Sequence, residues 1–108
     1  MTANELRIGN YVFRDSIFIE TVKSIDKNVV FTGESLPSKV EDLKPVALIE
    51  TDLISLGFKK WGKHKTYSKG GVILHLRRRG FVINKRMPIV HYLHQLQNIY
   101  FIFTGKEL

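Results

Sequence analysis

The sequence predicts an α+β protein: a small N-terminal, SH3-like β half-barrel, then an αβββα unit whose C-terminal amphipathic helix lies on an antiparallel sheet. Three observations predict it. Short β-branched runs broken by Gly, Asn and Asp fill the chain through Val46. Two Gly-containing turns cut residues 64–86 into three strand-length pieces. Residues 89–104 repeat apolar side chains at helical spacing.

The elements follow in order. Leu6 to Val12 alternates and carries a Gly-Asn turn. Ile17 to Ile25 is rich in β-branched residues, and Val29 to Thr32 is a third short strand. Asp26-Lys27-Asn28 reads as the hairpin turn between them, with Asn28 available for a left-handed backbone. Val40 to Val46, interrupted by Pro45, suits an edge strand. A helix is expected from residues 49–51. Glu50 and Asp52 suit its positive end, Leu53, Ile54 and Leu56 its buried side, and Gly57 its C-terminal stop, with Phe58 as the contact after it. Strands at about 64–68, 71–78 and 81–86 are separated by Lys69-Gly70 and Arg79-Gly80. Pro88 suits the start of the last helix. Its apolar face holds Ile89, Tyr92, Leu93, Leu96, Ile99, Tyr100 and Phe103. His91, His94, Gln95 and Asn98 fall on the other, and Phe101 and Ile102 lie off the stripe. The expected lobes are 1–48, rich in strands, and 49–108, basic, the two being small enough to share a core.

Charge is divided as sharply as structure. Residues 53–108 hold 11 Lys/Arg and one Glu, a net of +10, whereas residues 1–52 hold six Lys/Arg and nine Asp/Glu, a net of −3. No carboxylate occurs between Asp52 and Glu107. A half that avoids negative side chains suits an anionic partner, nucleotide or nucleic acid first. The chain has no cysteine, hence no disulfide and no thiolate metal site, which fits a reducing cytoplasm. The opening Met-Thr-Ala-Asn-Glu lacks the cationic and apolar regions of a signal peptide, and no apolar run approaches the ~20 residues of a membrane span.

Two constellations point to binding. In the strand 72–78, Val72, Leu74 and Leu76 face one side, and Ile73, His75 and Arg77 the other. With two-residue turns at both ends, His64, Thr66, Ile73, His75, Arg77, Asn84 and Arg86 share a face. Tyr67, Val72, Leu74, Leu76, Phe81 and Ile83 then share the opposite one, covered by the last helix. Arginine forks suit phosphate, and Asn or His can read a base or ribose edge, although a one-residue slip would invert every face. Lys59-Lys60-Trp61-Gly62-Lys63-His64-Lys65-Thr66-Tyr67 interleaves aromatics with lysines, so that a base can stack while cations hold its phosphate. The same Trp could instead close the core beside the helix.

The expected ligand contacts are therefore Trp61, Lys63, His64, Tyr67, His75, Arg77, Asn84 and Arg86. His91 and His94 have the spacing of a metal pair, but no Asp, Glu or Cys lies nearby in sequence, and neither a metal nor a cofactor is expected. Walker, dinucleotide, nucleophile-elbow and H-E-x-x-H patterns are all absent, which argues against an enzyme.

Three stretches carry a resemblance: Glu5-Leu6-Arg7-Ile8-Gly9-Asn10-Tyr11-Val12; Leu43-Lys44-Pro45-Val46 through Leu56-Gly57-Phe58; and Val90-His91-Tyr92-Leu93-His94-Gln95-Leu96-Gln97-Asn98-Ile99-Tyr100-Phe101 with Thr104-Gly105-Lys106-Glu107-Leu108. They are similar to a family of small uncharacterised proteins of Bacteroidetes phages, prophages and mobile elements. That family usually carries Thr in the place of Ile49. The resemblance implies a phage or mobile-element protein in a bacterial cytoplasm and implies no particular chemistry. Residues and resemblance together lead us to expect a non-catalytic binder of an anionic nucleotide-type ligand, sequestering a host defence signal. An accessory protein for DNA or RNA, or a module docking an acidic host protein, are the alternatives. A homodimer or higher homo-oligomer is expected from the opposite charge of the halves and from the apolar Phe101 and Ile102.

Overall fold

The computed structural model describes residues 1–14, 18–33, 37–62, 65–84 and 89–108. The chain is mixed α+β. Its strands form three antiparallel sheets, accompanied by α1 (Glu50–Ser55) and α2 (Leu93–Thr104). It folds as two compact units. One comprises Met1–Val46 with Tyr92–Asn98, and the other Ala47–His91 with Ile99–Leu108. The first thus takes in the beginning of α2 besides the N-terminal strands.

In the first unit, β1 (Tyr11–Phe13), β2 (Ile19–Thr21) and β6 (Lys44–Pro45) form one sheet in the order β2-β1-β6. A second, in the order β3-β4-β5, joins β3 (Ser24–Asp26), β4 (Val29–Phe31) and β5 (Ser38–Lys39). The single strand expected from Ile17 to Ile25 is divided at Val22 and Lys23. Val22 exchanges backbone hydrogen bonds with Gly9 and Asn10, whereas Lys23 donates to Phe31. The chain therefore leaves one sheet and joins the other there, and Val22 is fully buried at the crossing. Pro45 lies opposite Val12 on an edge strand, where its missing N–H costs no ladder bond. The residues before it begin as a 3-10 turn, Val40–Asp42, rather than as strand. In the turn between β3 and β4, Lys27 and not Asn28 takes the left-handed backbone, with φ +54°. Leu6, Val12, Val22, Val30, Val40 and Leu43 form the core of this unit.

In the second unit, β7 (Lys59–Lys60), β8 (Thr66–Lys69), β9 (Val72–Arg77), β10 (Gly80–Ile83) and β11 (Ile89–Val90) form a five-stranded sheet in the order β11-β10-β9-β8-β7. Two short outer strands thus join the three that the sequence predicts. The turns are Gly70-Gly71 and Arg78-Arg79, each one residue from its expected place. Gly70 and Gly71 have φ +56° and +84°, as a tight hairpin of this hand requires, so the glycine pair outcompetes Lys69-Gly70. At the second turn the positive φ, +140°, falls on Gly80 and spares both arginines. Moving a turn by one residue changes the pairing register by two. The expected faces therefore survive.

Tyr67, Val72, Leu74, Phe81 and Ile83 are buried on one face, with Leu76 half-buried at its end. Phe58 packs edge-on to Tyr100, ring centroids 6.3 Å apart, and Tyr67 likewise to Phe81 at 6.4 Å. A methyl group on Gly70 would lie 2.8 Å from the Tyr100 hydroxyl, so the glycine turn also admits that ring. Helix α1 ends as expected. Gly57 N–H donates to Ile54 O and Phe58 N–H to Leu53 O, the paired bonds of a Schellman stop, and Phe58 is buried. Of the three residues assigned to the buried side of α1, Leu53 is fully buried and Leu56 half-buried, but Ile54 is exposed.

The last helix is shorter than 89–104. Ile89 and Val90 pair instead with Val82 and Phe81, since β-branched residues beside an open strand edge gain ladder bonds there. Its faces also differ: His94 of the expected polar face is almost fully buried, as is Gln97, which the spacing assigns to neither face, whereas Phe103 of the expected apolar face is exposed. Among the described residues no helix is long and apolar enough to cross a membrane.

Candidate functional site

The outer face of the five-stranded sheet follows from the pairing. Thr66 lies opposite His75, His75 opposite Val82, and Val82 opposite Ile89, while Trp61 N–H donates to Thr66 O at the far edge. One row thus crosses the sheet: Trp61 just beyond the end of β7, then Thr66, His75, Val82 and Ile89. On one side of it Lys59, Ser68 and Ile73 form a second row. On the other, Arg77 pairs with Gly80 at the neck of the Arg78-Arg79 turn. A Cβ on Gly80 would come within 2.7 Å of Ile89 Cγ2 and 3.1 Å of His91 Nδ1, so those side chains lean over the glycine on this same face.

Exposure separates this face from the core face. Trp61 is 63% exposed and Ile73 39%. Lys59, Arg77, Arg78, Arg79 and His91 are exposed, and Thr66, Ser68, His75, Val82 and Ile89 are half-buried. The indole is tethered through its edge, with Nε1–H donating to Ser68 Oγ at 2.6 Å. Thr66 Oγ1 and His75 Nδ1 share a hydrogen bond of 3.2 Å across the strands, which orients the imidazole. The geometry supplies a flat aromatic, an imidazole and β-branched side chains in one row, with an arginine-rich turn alongside. Such a surface can stack planar rings and hold phosphates.

The structure brings together Trp61, His75 and Arg77 of the expected ligand contacts. Tyr67 is buried with the core residues. Its hydroxyl donates to the Glu50 carboxylate, and burial together with that carboxylate pushes its pKa up to about 12. It therefore presents no ring face for stacking. Asn84 is exposed just beyond β10. It has φ +47°, and its Oδ1 accepts from Ile73 N–H while its own N–H donates to Ile73 O, so it carries the β9–β10 pairing one residue further. Lys63, His64 and Arg86 lie outside the described residues. Lys59, in the run that interleaves aromatics with lysines, and Ser68, two residues from Thr66 on β8, also lie on this face, though neither is among the expected contacts.

The two carboxylates just before the basic stretch are engaged locally. Asp52 Oδ2 accepts from Ile49 N–H at 3.2 Å. Isoleucine has no side-chain acceptor to return the bond, so only half of a capping box forms. Among the described residues no group of three His, Asp or Glu is placed to hold a metal, and no pocket is formed. The spacing of His91 and His94 does not make a helical pair, because α2 begins after His91.

His94 belongs to a different arrangement, in the first unit. It is 1% exposed and stacks on Tyr92 with ring centroids 5.9 Å apart. The Glu5 carboxylate is 3.7 Å from Nε2, beyond hydrogen-bond distance. Burial lowers its pKa from the ordinary histidine value, opposed in part by Glu5. Beside it, Gln97 Oε1 accepts from Tyr11 N–H at 2.9 Å, and its Nε2 donates to Gly9 O at 3.1 Å. Asn10, itself fully buried, donates to Asn98 Oδ1 at 2.8 Å, and Asn98 Nδ2 donates to Glu5 O at 2.9 Å. The Gln97-Asn98 pair and the Glu5–Tyr11 segment are thus bonded to each other. Their polar side chains satisfy backbone that the short strands leave unpaired.

Compared with family models, curated proteins and solved structures, the chain matches none of them.

Proposed function

We propose that this chain is a non-catalytic binding protein for an anionic, nucleotide-type ligand, taken up on the outer face of its five-stranded sheet. The observation that carries the reading is the outward-facing row that holds exposed Trp61 and half-buried His75, beside exposed Arg77 and the Arg78-Arg79 turn. Aromatic and imidazole faces stack bases, arginine forks grip phosphates, and no acidic residue between Asp52 and Glu107 opposes them. The same chemistry serves a small nucleotide signal captured from a host defence system, which would suit the phage or mobile-element setting that the resemblance implies, or an accessory role on DNA or RNA. An outward-facing row that spans the sheet favours the polymer, because a polymer can reach along the whole of it at once.

Calorimetric titration tests this with cyclic and linear mononucleotides, dinucleotides, single strands and short duplexes at low salt. We expect binding of at least one phosphate-bearing ligand, released unchanged on heating and weakened by added salt. Arg77→Glu should reduce that affinity tenfold or more and leave the urea midpoint in place, because Arg77 is exposed and its own hydrogen bond goes to the adjoining Leu76 carbonyl. Indifference to the whole panel would overturn the proposal and favour docking to an acidic protein.

A further inference from the structure

The geometry points to a single-stranded nucleic acid lying across the strands of this sheet, its bases on the Trp61–His75 row and its backbone along the arginine turn; the inference rests on the function proposed above. Five strands at a spacing of about 4.8 Å span about 19 Å from β7 to β11. Trp61 and His75 stand two strands apart, about 10 Å, with Thr66 between them. A four-stranded sheet of comparable design stacks two or three bases, so this face offers room for about three nucleotides.

A duplex hides its base faces within its own stack and offers phosphates only. The exposed indole and the β-branched row of Val82 and Ile89 would then have no partner. A mononucleotide would occupy one ring and leave the rest of the row bare. Only an unpaired strand presents planar faces and phosphates in succession, which is the pattern displayed here. The arginines lie to one side of the row, and the exposed Lys59 lies on the other. Arg77 is two residues beyond His75 along β9, about 7 Å, and the turn arginines follow it. That offset matches a strand whose bases lean onto the row while its phosphates run beside it. The Ser68 tether holds the indole in place before the ligand arrives, which lowers the ordering cost of stacking.

Trp61 is the only tryptophan, so its fluorescence reports the site directly. The probes are ten-nucleotide oligothymidylate and oligouridylate, a ten-base-pair duplex, and thymidine monophosphate. Quenching that saturates with the single strands, weaker with duplex and absent with the mononucleotide, is the expected result. The affinity should fall with salt at a log–log slope of about −2, as three phosphate contacts on a single strand require. Trp61→Ala, followed by anisotropy of a labelled oligonucleotide, should weaken single-strand binding about tenfold or more. Arg77→Glu should do likewise while keeping the circular dichroism of the parent. Preference for the duplex or for the mononucleotide would overturn this inference and leave the proposed function standing. Single-strand binding that ignores both substitutions would overturn it too. No binding to any probe would overturn this inference, and the proposed function falls with it when the calorimetric panel is indifferent as well.

Discussion

Replacing Gln97 with alanine should destabilise the protein by about 2–6 kcal/mol. The side chain is 2% exposed and makes two hydrogen bonds to backbone, from Tyr11 N–H and to Gly9 O. Truncation strands both groups, and each stranded buried group costs about 1–3 kcal/mol. Against a total stability of about 5–15 kcal/mol for a domain, the loss is large. Gln97→Glu separates hydrogen bonding from shape. It keeps the acceptor for Tyr11 but turns a carboxylate oxygen toward the Gly9 carbonyl. At neutral pH it should therefore be at least as damaging as alanine. In acid, where the carboxyl protonates and can donate to Gly9, part of the loss should return. The assay is urea unfolding followed by far-ultraviolet circular dichroism, with the midpoint read at constant slope. A Gln97→Ala variant within about 0.5 kcal/mol of the parent would place this residue among neutral surface positions and refute the reasoning.

Three other outcomes are expected. Ile49→Thr supplies the missing half of the capping box on α1 at a residue that is already 54% exposed, and should raise stability by about 0.5–1 kcal/mol in thermal or urea melts; an unchanged or lowered midpoint would show that the cap does not form. The folded state holds the pKa of His94 below its unfolded value of about 6.5, so its contribution to stability is present above that pH and drains away as pH falls through it. His94→Leu should flatten that part of the stability–pH profile between about pH 7.5 and 5, and a profile identical to the parent's would exclude this residue as its source. Self-association through the end of α2, where Ile102 is 75% and Phe103 45% exposed, should be abolished by Ile102→Glu; light scattering that gives the monomer mass for the parent at micromolar concentration would reject it.

Local chemistry determined much by itself. Gly57 stops α1 because only a residue tolerant of positive φ can close a Schellman turn, and its neighbour Phe58 had to be buried to complete it. The alternation of Val72, Leu74 and Leu76 against Ile73, His75 and Arg77 assigned two faces. Those faces outlasted an error in both turns because the registers moved by two. The placement of Arg77 and His75 on the outer face was legible for the same reason, as was the positive charge of residues 53–108. Which turn residues win is a competition between neighbouring dipeptides, and it was settled by the backbone that Gly70-Gly71 alone adopts without strain. Only the tertiary structure decided the fate of residues 89–104. Periodicity cannot say that an open strand edge will claim Ile89 and Val90 before the helix begins. Nor can it say that His94 and Gln97 are interior. A polar residue becomes interior when the surface it meets is itself polar, and here that surface is the unpaired backbone of Gly9 and Tyr11, which lies 86 to 88 residues away in sequence. Tyr67 was misassigned to the ligand for a related reason. An aromatic beside lysines looks like a stacking platform until a carboxylate from another element, Glu50, takes its hydroxyl into the core. Partnerships of long sequence separation leave no local pattern, because the chain pays for them only once it has folded.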